Sequence, residues 1–286
     1  MEKKSIGVGL MGFGVIGSQV ARVLLDRQEH ISEQAGCPVV LRKIKVIEPD
    51  LGTPKAKAVD SELFTTDEDD FFNTPDMDIV IELIGGVNPA LSYHERAIKL
   101  GKHIVTANKE LIAKHGSQLM ELAKLHNVSI NYEAAVGGGI PLIAPLQKDL
   151  VANNIEGIYA IINGTTNYII TRMSSEDIDY PEALSEAQNL GYAEANPTKD
   201  IEGIDAAYKL AIMASLTMEI KISPDDIFCE GISKLESRDF RYASELGYAI
   251  KLLAIARHSN GFVEVHVYPA FVPGDSFLAK VDGVYN

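Results

Sequence analysis

Apolar positions along this chain follow two different rhythms, and the change falls near residue 134. In the first half, short apolar runs alternate with longer stretches in which apolar residues recur every three or four positions. Residues 5–17 (SIGVGLMGFGVIG) begin with a β-like apolar run. Ile16, Val20, Val23 and Leu24 then stand at i, i+4, i+7 and i+8, which predicts a helix packing that face on a sheet. Residues 39–47 (VVLRKIKVI) and 79–84 (IVIELI) read as further strands. Residues 89–100 read as a helix with Asn88 as N-cap, Pro89 at its first position and Gly101 as terminator. A short strand over 103–106 (HIVT), a long helix following Lys109 and a strand over 128–133, ending at Glu133, complete the pattern. Strands alternating with helices predict a mostly parallel sheet whose ligand sits at the C-terminal strand ends. The loops GGVN (85–88) and TANK (106–109) fall at that edge.

Beyond residue 134 the rhythm is lost. Residues 134–141 (AAVGGGIP) form a glycine–proline junction, so the domains expected are 1–134 and 135–286. Residues 155–162 (IEGIYAII) and 262–268 (FVEVHVY) read as strands of a second sheet, with helices near 181–190, 204–218 and 240–257. The expectation is an α/β chain: a nucleotide-binding domain followed by an α+β domain.

One predicted helix combines an apolar body with two charges. Residues 203–218 read GIDAAYKLAIMASLTM, where Asp205 and Lys209 stand four apart and so share one face. Leu210, Ile212, Met213, Leu216 and Met218, with several alanines, make nearly every other face apolar. A helix apolar all round is usually buried, and buried Asp and Lys are rare unless paired. The pair is therefore expected to be buried or to line a cleft rather than to be a solvated surface pair. Glu194, Lys199, Asp200 and Glu202 crowd the loop leading into it.

Charge and composition narrow the function. A formal charge of -14 argues against a nucleic-acid or anionic-membrane surface. The 46% hydrophobic and 23% charged content is that of a soluble globular protein. Cys37 and Cys229 form no CxxC pair, which fits a reducing cytoplasm. Glu2-Lys3-Lys4 before an apolar stretch has the outline of a signal peptide, but glycines at 7, 9, 12, 14 and 17 make that stretch a poor helix. No uninterrupted apolar run is long enough to span a membrane. No GxSxG elbow and no HExxH pairing occurs, so neither serine hydrolysis nor a catalytic zinc is indicated.

The glycines themselves form Gly12-x-Gly14-x-x-Gly17 between a predicted strand and a predicted helix, the context of a Rossmann fingerprint. Gly12 permits the tight turn, Gly14 lets the backbone approach a pyrophosphate, and Gly17 lets the helix pack close. Phosphates then meet free N–H groups at the helix N-terminus, beside Phe13, Val15 and Ile16. Lys109 opposes the macrodipole at the start of its helix, near the place of a nicotinamide, which favours a functional role.

The run Ala187-x-x-x-Gly191-Tyr192-Ala193-x-x-Asn196-Pro197-x-x-Asp200-Ile201-x-Gly203-x-Asp205-x-x-x-Lys209 resembles the signature of the homoserine dehydrogenases. IELIGG (81–86), TANK (106–109), EAAVGGGIP (133–141) and NGTTNY (163–168) extend the resemblance in the right order, over all 286 residues. It implies an oxidoreductase that interconverts L-aspartate 4-semialdehyde and L-homoserine with NADP or NAD, in threonine, isoleucine and methionine synthesis. By the resemblance Lys209 is the proton donor, Asp205 orients it or the substrate, and Glu194 binds the substrate. Asp200 and Thr165 line the pocket, and Lys109, with Thr106, lies near the nicotinamide. Glu133, Val136, Gly138 and Ile140 match a loop that binds a monovalent cation such as sodium, mainly through backbone carbonyls; oxygen ligands suit a hard cation. The family's second sheet joins two subunits, implying a homodimer.

Two features depart from the family pattern. Where relatives that prefer NADP often carry an Arg after the second strand, this chain reads Glu48-Pro49-Asp50, with Pro49 at the Arg position. Glu48 or Asp50 is suited to a free ribose hydroxyl, while Lys55 and Lys57 downstream are suited to a 2'-phosphate. Family members also usually continue beyond residues 284–286 (VYN), many of them into a regulatory ACT domain, so the resemblance is to the catalytic region. Another Rossmann oxidoreductase of an amino acid or semialdehyde shares the first half of the pattern but not residues 187–209. A non-catalytic nucleotide sensor needs the glycines but not Asp205 and Lys209 in an apolar helix.

Overall fold

The structure, a computed structural model, describes residues 4–218 and 220–286; Glu2 and Lys3 of the signal-like segment lie outside them. The chain forms two compact units, Met1–Pro141 and Leu142–Asn286.

The first unit is built on strands β1 (Ile6–Met11), β2 (Val39–Lys45), β3 (Phe64–Thr65), β4 (Ile79–Glu82), β5 (His103–Thr106) and β6 (Ile130–Asn131). All pairings are parallel and the order is β3-β2-β1-β4-β5-β6. The order reverses between β1 and β4, the crevice where open parallel sheets bind ligands. The connecting helices are α1 (Val15–Asp26), α2 (Gln28–Ala35), α3 (Glu48–Leu51), α4 (Pro54–Lys57), α5 (Glu68–Phe72), α6 (Ala90–Lys99) and α7 (Lys109–Leu125). Val8 and Leu10 of β1 join Leu41 and Ile44 of β2 in the core. Strands covered on both faces become continuous apolar runs, and this is why the β1 run is so plain in the sequence.

Helix α1 packs differently from its apolar pattern. Its buried face is Gly17, Ser18 and Ala21, flanked by the partly buried Val20 and Leu24, whereas Ile16 and Val23 are exposed. Close approach is the reason: a Cβ on Gly17 would lie 2.1 Å from the Gly12 carbonyl oxygen. Small side chains therefore face the sheet and the larger ones flank them. Other boundaries shift by a few residues. The expected strand over 128–133 is only Ile130–Asn131, with Glu133–Ala135 a 3-10 turn. The helix expected from Pro89 begins at Ala90, with Pro89 as its cap.

The second unit contains β7 (Gly157–Ala160), α8 (Gly164–Glu176), α9 (Tyr180–Asn189), α10 (Thr198–Ile201), α11 (Ile204–Thr217), β8 (Phe228–Cys229), α12 (Ser237–Glu245), β9 (Tyr248–Ser259) and β10 (Phe262–Pro273). The strand order is β7-β9-β10-β8, antiparallel except between β10 and β8. The helix expected over 240–257 is wrong for most of its length. Helix α12 ends at Glu245, Gly247 takes φ 81°, and Tyr248 begins the 12-residue strand β9. Residues 250–256 are all buried, and a short run apolar on both faces has no period to separate strand from helix. Helix α11 packs on β9 and β10 and is buried on nearly every face. Among the described residues no helix is long and apolar enough to cross a membrane.

The glycine turn gives a direct packing test. Gly17→Ala drives a methyl into a backbone carbonyl and should lower the unfolding free energy by about 3 kcal/mol, the upper end for overpacking. A Cβ on Gly14 meets nothing within 4 Å, so Gly14→Ala should cost about 1 kcal/mol or less. Urea denaturation of both variants checks this, and equal losses would contradict the packing described.

Candidate functional site

Helix α11 places Asp205 and Lys209 one turn apart, and both point into protein. Their side chains are 4% and 14% exposed, with Lys209 Nζ 2.8 Å from Asp205 Oδ2. Lys209 Nζ also donates to the Ile162 carbonyl at 2.8 Å. The buried or cleft-lining pair expected from the sequence is thus present, and it has a third member that sequence reading did not single out. Asn163, the N-cap of α8, donates through Nδ2 to Asp205 Oδ2 at 3.1 Å and to Asp200 Oδ1 at 2.8 Å. Its Oδ1 accepts from the Thr166 backbone N–H at 2.9 Å and from the Thr166 hydroxyl at 3.0 Å. One amide group thereby bridges two carboxylate side chains and fixes their positions. The signal available beforehand was local: Asn followed by Gly-Thr-Thr at a helix start is a capping pattern. Nothing local points from residue 163 to residues 200 and 205.

The loop entering this cluster is held by its backbone. Tyr192 N–H and Ala193 N–H both donate to the Ala187 carbonyl at the end of α9. Gln188 Nε2 donates to the Glu194 carbonyl at 3.1 Å, and Thr165 Oγ1 donates to the Tyr192 carbonyl at 2.7 Å. Thr165 therefore ties the start of α8 to the loop that carries Glu194, whose own side chain is exposed. The structure brings Asp200, Asp205 and Lys209 together through Asn163, with Glu194 on the adjoining loop.

In the first unit the glycine turn leads straight from β1 into α1. Gly12 takes φ 91°, and a Cβ there would sit 2.7 Å from the carbonyl oxygen of Leu83, the residue just after β4. Gly14 is the N-cap of α1 with no side-chain capping bond, and the first turn carries no acid. Packing does not require a glycine at position 14, whereas the approach of a phosphate to the helix N-terminus does. The residues therefore fit a dinucleotide. Val15 and Ile16 are exposed at that turn. Phe13 is buried against Phe64, edge to face at 5.0 Å, so its side chain belongs to the core and only its backbone is available to a ligand. A cavity of about 750 Å³, lined by residues that include Leu51, Lys57, Phe64 and Thr66, opens beyond β2 and β3. The Thr66 hydroxyl donates to Glu48 Oε1 at 3.1 Å, holding that carboxylate at the end of β2.

Lys109 is the first residue of α7, capped by Asn108, whose Oδ1 accepts from the Leu111 N–H at 3.1 Å. Thr106 is buried, its hydroxyl donating to Glu82 and accepting from the Asn108 N–H. Of the segment resembling a cation loop, Glu133 lies in a 3-10 turn, Val136 is buried, Gly138 is left-handed at φ 60° and Ile140 is exposed. Among the described residues no group of three or more His, Cys, Asp and Glu is placed to hold a metal ion.

Comparison with known proteins agrees along the whole chain. Residues 12–133 match the family model described as the NAD binding domain of homoserine dehydrogenase, and residues 141–286 match the model of homoserine dehydrogenase itself. The homoserine dehydrogenase of Neisseria gonorrhoeae is 44% identical over 285 residues, which are 99% of this chain and 64% of that protein. The crystal structure of a homoserine dehydrogenase from Thiobacillus denitrificans superposes with a TM-score of 0.91 at 44% identity, covering 98% of this chain and 64% of that one. A hyperthermophilic archaeal homoserine dehydrogenase in complex with NADPH superposes with a TM-score of 0.79 at 26% identity, over 98% of this chain and 85% of that one. The chain thus spans just under two thirds of the length of the first two relatives. Glycine turn, charged helix and fold all agree with this, and the chain belongs to the homoserine dehydrogenase family.

Proposed function

We propose that this chain interconverts L-homoserine and L-aspartate 4-semialdehyde with NAD or NADP. The observation that carries the reading is the ammonium of Lys209, fixed between Asp205 Oδ2 and the Ile162 carbonyl inside an apolar helix. Two of its hydrogens are engaged by those acceptors. The remaining one is the donor that a substrate oxygen needs.

A bound nicotinamide supplies or accepts the hydride. The chemistry left to the protein is a proton on the substrate oxygen and the binding of an amino acid. In aldehyde reduction the Lys209 ammonium stabilises the oxygen as negative charge develops on it and gives up a proton; in homoserine oxidation it takes that proton back. Asp205 keeps the amine aimed and Asn163 keeps Asp205 apart from Asp200. Asp200 and Glu194 attract the substrate ammonium, which explains two carboxylates beside an already paired one. Thr165 lines the same pocket.

In the nucleotide unit, Gly12, Gly14 and Gly17, with the backbone of Phe13, Val15 and Ile16, hold the pyrophosphate. Thr106 and Lys109 serve the nicotinamide end, Thr106 through its backbone because its hydroxyl is engaged internally. The Gly-rich loop with Glu133, Val136, Gly138 and Ile140 is proposed to take sodium or another monovalent cation. The boundaries 1–134 and 135–286 are proposed as the cofactor and substrate domains. The free thiols Cys37 and Cys229 suit a cytoplasmic setting.

The assembly proposed is a homodimer joined through the second unit. Tyr159 and Phe228 are exposed on one face of its sheet, where the rings of His266 and Tyr268 pack edge to face beside Phe228, an aromatic patch suited to an interface. A two-fold partner covers it with the same surface.

Activity is tested by following reduced-nicotinamide absorbance with homoserine and each cofactor in turn. Homoserine-dependent reduction is expected, and Lys209→Ala should lower kcat roughly 10²–10⁴-fold with little change in cofactor affinity. Near-normal turnover in that variant removes Lys209 from the mechanism. No turnover with homoserine but turnover of another amino acid favours a different oxidoreductase, and cofactor binding without any turnover favours the sensor. Light scattering at micromolar concentration should give twice the chain mass; a folded monomer would contradict the dimer.

A further inference from the structure

Glu82 is the last residue of β4 and is wholly inaccessible to solvent, at 0% exposure. A carboxylate in that position is tolerated only when donors surround it, and here five do. Oε1 accepts from the backbone N–H groups of Ile84, at 2.7 Å, and Gly85, at 3.2 Å. Oε2 accepts from Thr106 Oγ1 at 2.9 Å and Asn108 Nδ2 at 3.3 Å, and His94 Nε2 faces it at 3.1 Å. Opposite a carboxylate, that nitrogen must carry the proton. Burial by itself pushes the Glu82 carboxyl up, but the hydrogen bond and charge of His94, with the Ile84 N–H and the Thr106 hydroxyl, outweigh it. Its pKa lies below the ordinary carboxylate value, and the side chain is an anion at neutral pH.

Four of the donors come from the ends of β4 and β5 and the loops that follow them at the ligand edge of the sheet, and His94 comes from α6. Asn108 extends the network, donating also to the Gly86 carbonyl at 2.7 Å while capping α7 through Leu111. Lys109 is the next residue. On the other side, Leu83 donates its N–H to the Met11 carbonyl at 2.8 Å, and its own carbonyl is the atom against which Gly12 packs. A buried carboxylate therefore determines where the loop beside the glycine turn and the helix start bearing Lys109 stand. Mere stability does not call for this arrangement, since well-packed apolar residues usually serve as well as a buried charge network.

We infer that Glu82 is a positioning residue of the cofactor site: its carboxylate locks the 84–86 loop to the Asn108 cap and so shapes the nicotinamide end. This rests on the dinucleotide reading of the first unit. Glu82→Gln keeps the shape but turns one acceptor oxygen into a donor amide, set against donors. Asn108→Asp keeps the helix cap and replaces the amide that faces Glu82 with an oxygen. Each variant of the whole chain is titrated with the reduced dinucleotide and with ADP-ribose, which lacks the nicotinamide. The expected result is a split: dinucleotide affinity falls 10-fold or more while ADP-ribose affinity stays within about 2-fold of wild type. If Glu82→Gln does not fold, Asn108→Asp decides alone. Unchanged dinucleotide affinity, or equal losses for both ligands, overturns the positioning role and leaves the dinucleotide reading standing. A wild-type chain that binds neither ligand overturns that reading and the inference with it.

Discussion

Charge removed from water has to be answered by charge or by donors, and in this chain that requirement organises the chemistry of both units. The ammonium of Lys209 lies within an apolar helix because Asp205 and the Ile162 carbonyl meet it. Asp205 in turn is shared with Asn163, which reaches on to Asp200. Breaking one partner of such a set costs several kcal/mol, roughly 3–5, while replacing the whole set with apolar side chains often costs nothing. The cluster is therefore weak as an explanation of stability. It makes sense as a means of holding one amine in one orientation, with carboxylates alongside that suit the ammonium of the proposed amino-acid substrate.

The nucleotide unit answers the same requirement by two routes. At the glycine turn the backbone of α1 offers N–H groups to a phosphate, and the absence of side chains lets the ligand and the helix come close. Gly17 is fixed by packing against Gly12, whereas Gly14 has open space around it, so the two glycines serve different ends within one motif. At β4 the answer comes from side chains and loops converging on Glu82. Both oxygens of that carboxylate are met by donors, and a carboxylate so held fixes the loops around it, which suits the proposed nicotinamide site.

Much of this is legible in the sequence, and each departure from the expected pattern has its own physical cause. Periodicity identified the parallel sheet because each βα unit is local, and the crowded charges on α11 stood out against an apolar background. Residues 248–257 do not read as a strand, because a strand buried on both faces shows no alternation. Ile16 and Val23 stand on the outer face of α1, against the apolar pattern, because a helix pressed close to a sheet presents its small residues, not its large ones. The organising roles of Asn163 and Glu82 are not legible locally. Their partners lie up to 42 and 26 residues away in sequence, and no local pattern records a contact over that distance. The comparisons supply family membership, and the geometry adds what the motifs leave open, namely which side chain holds which.

The central claim is that the buried charges of α11 are retained for chemistry and not for folding. The most direct test is the Asp205→Asn, Lys209→Met double variant, measured by urea denaturation with homoserine turnover followed on the same sample. The account predicts an unfolding free energy within about 2 kcal/mol of wild type, because both charges of the Asp205–Lys209 pair are removed together, and turnover below detection. A folded double variant that still oxidises homoserine, or one that loses more than about 3 kcal/mol of stability, would contradict it.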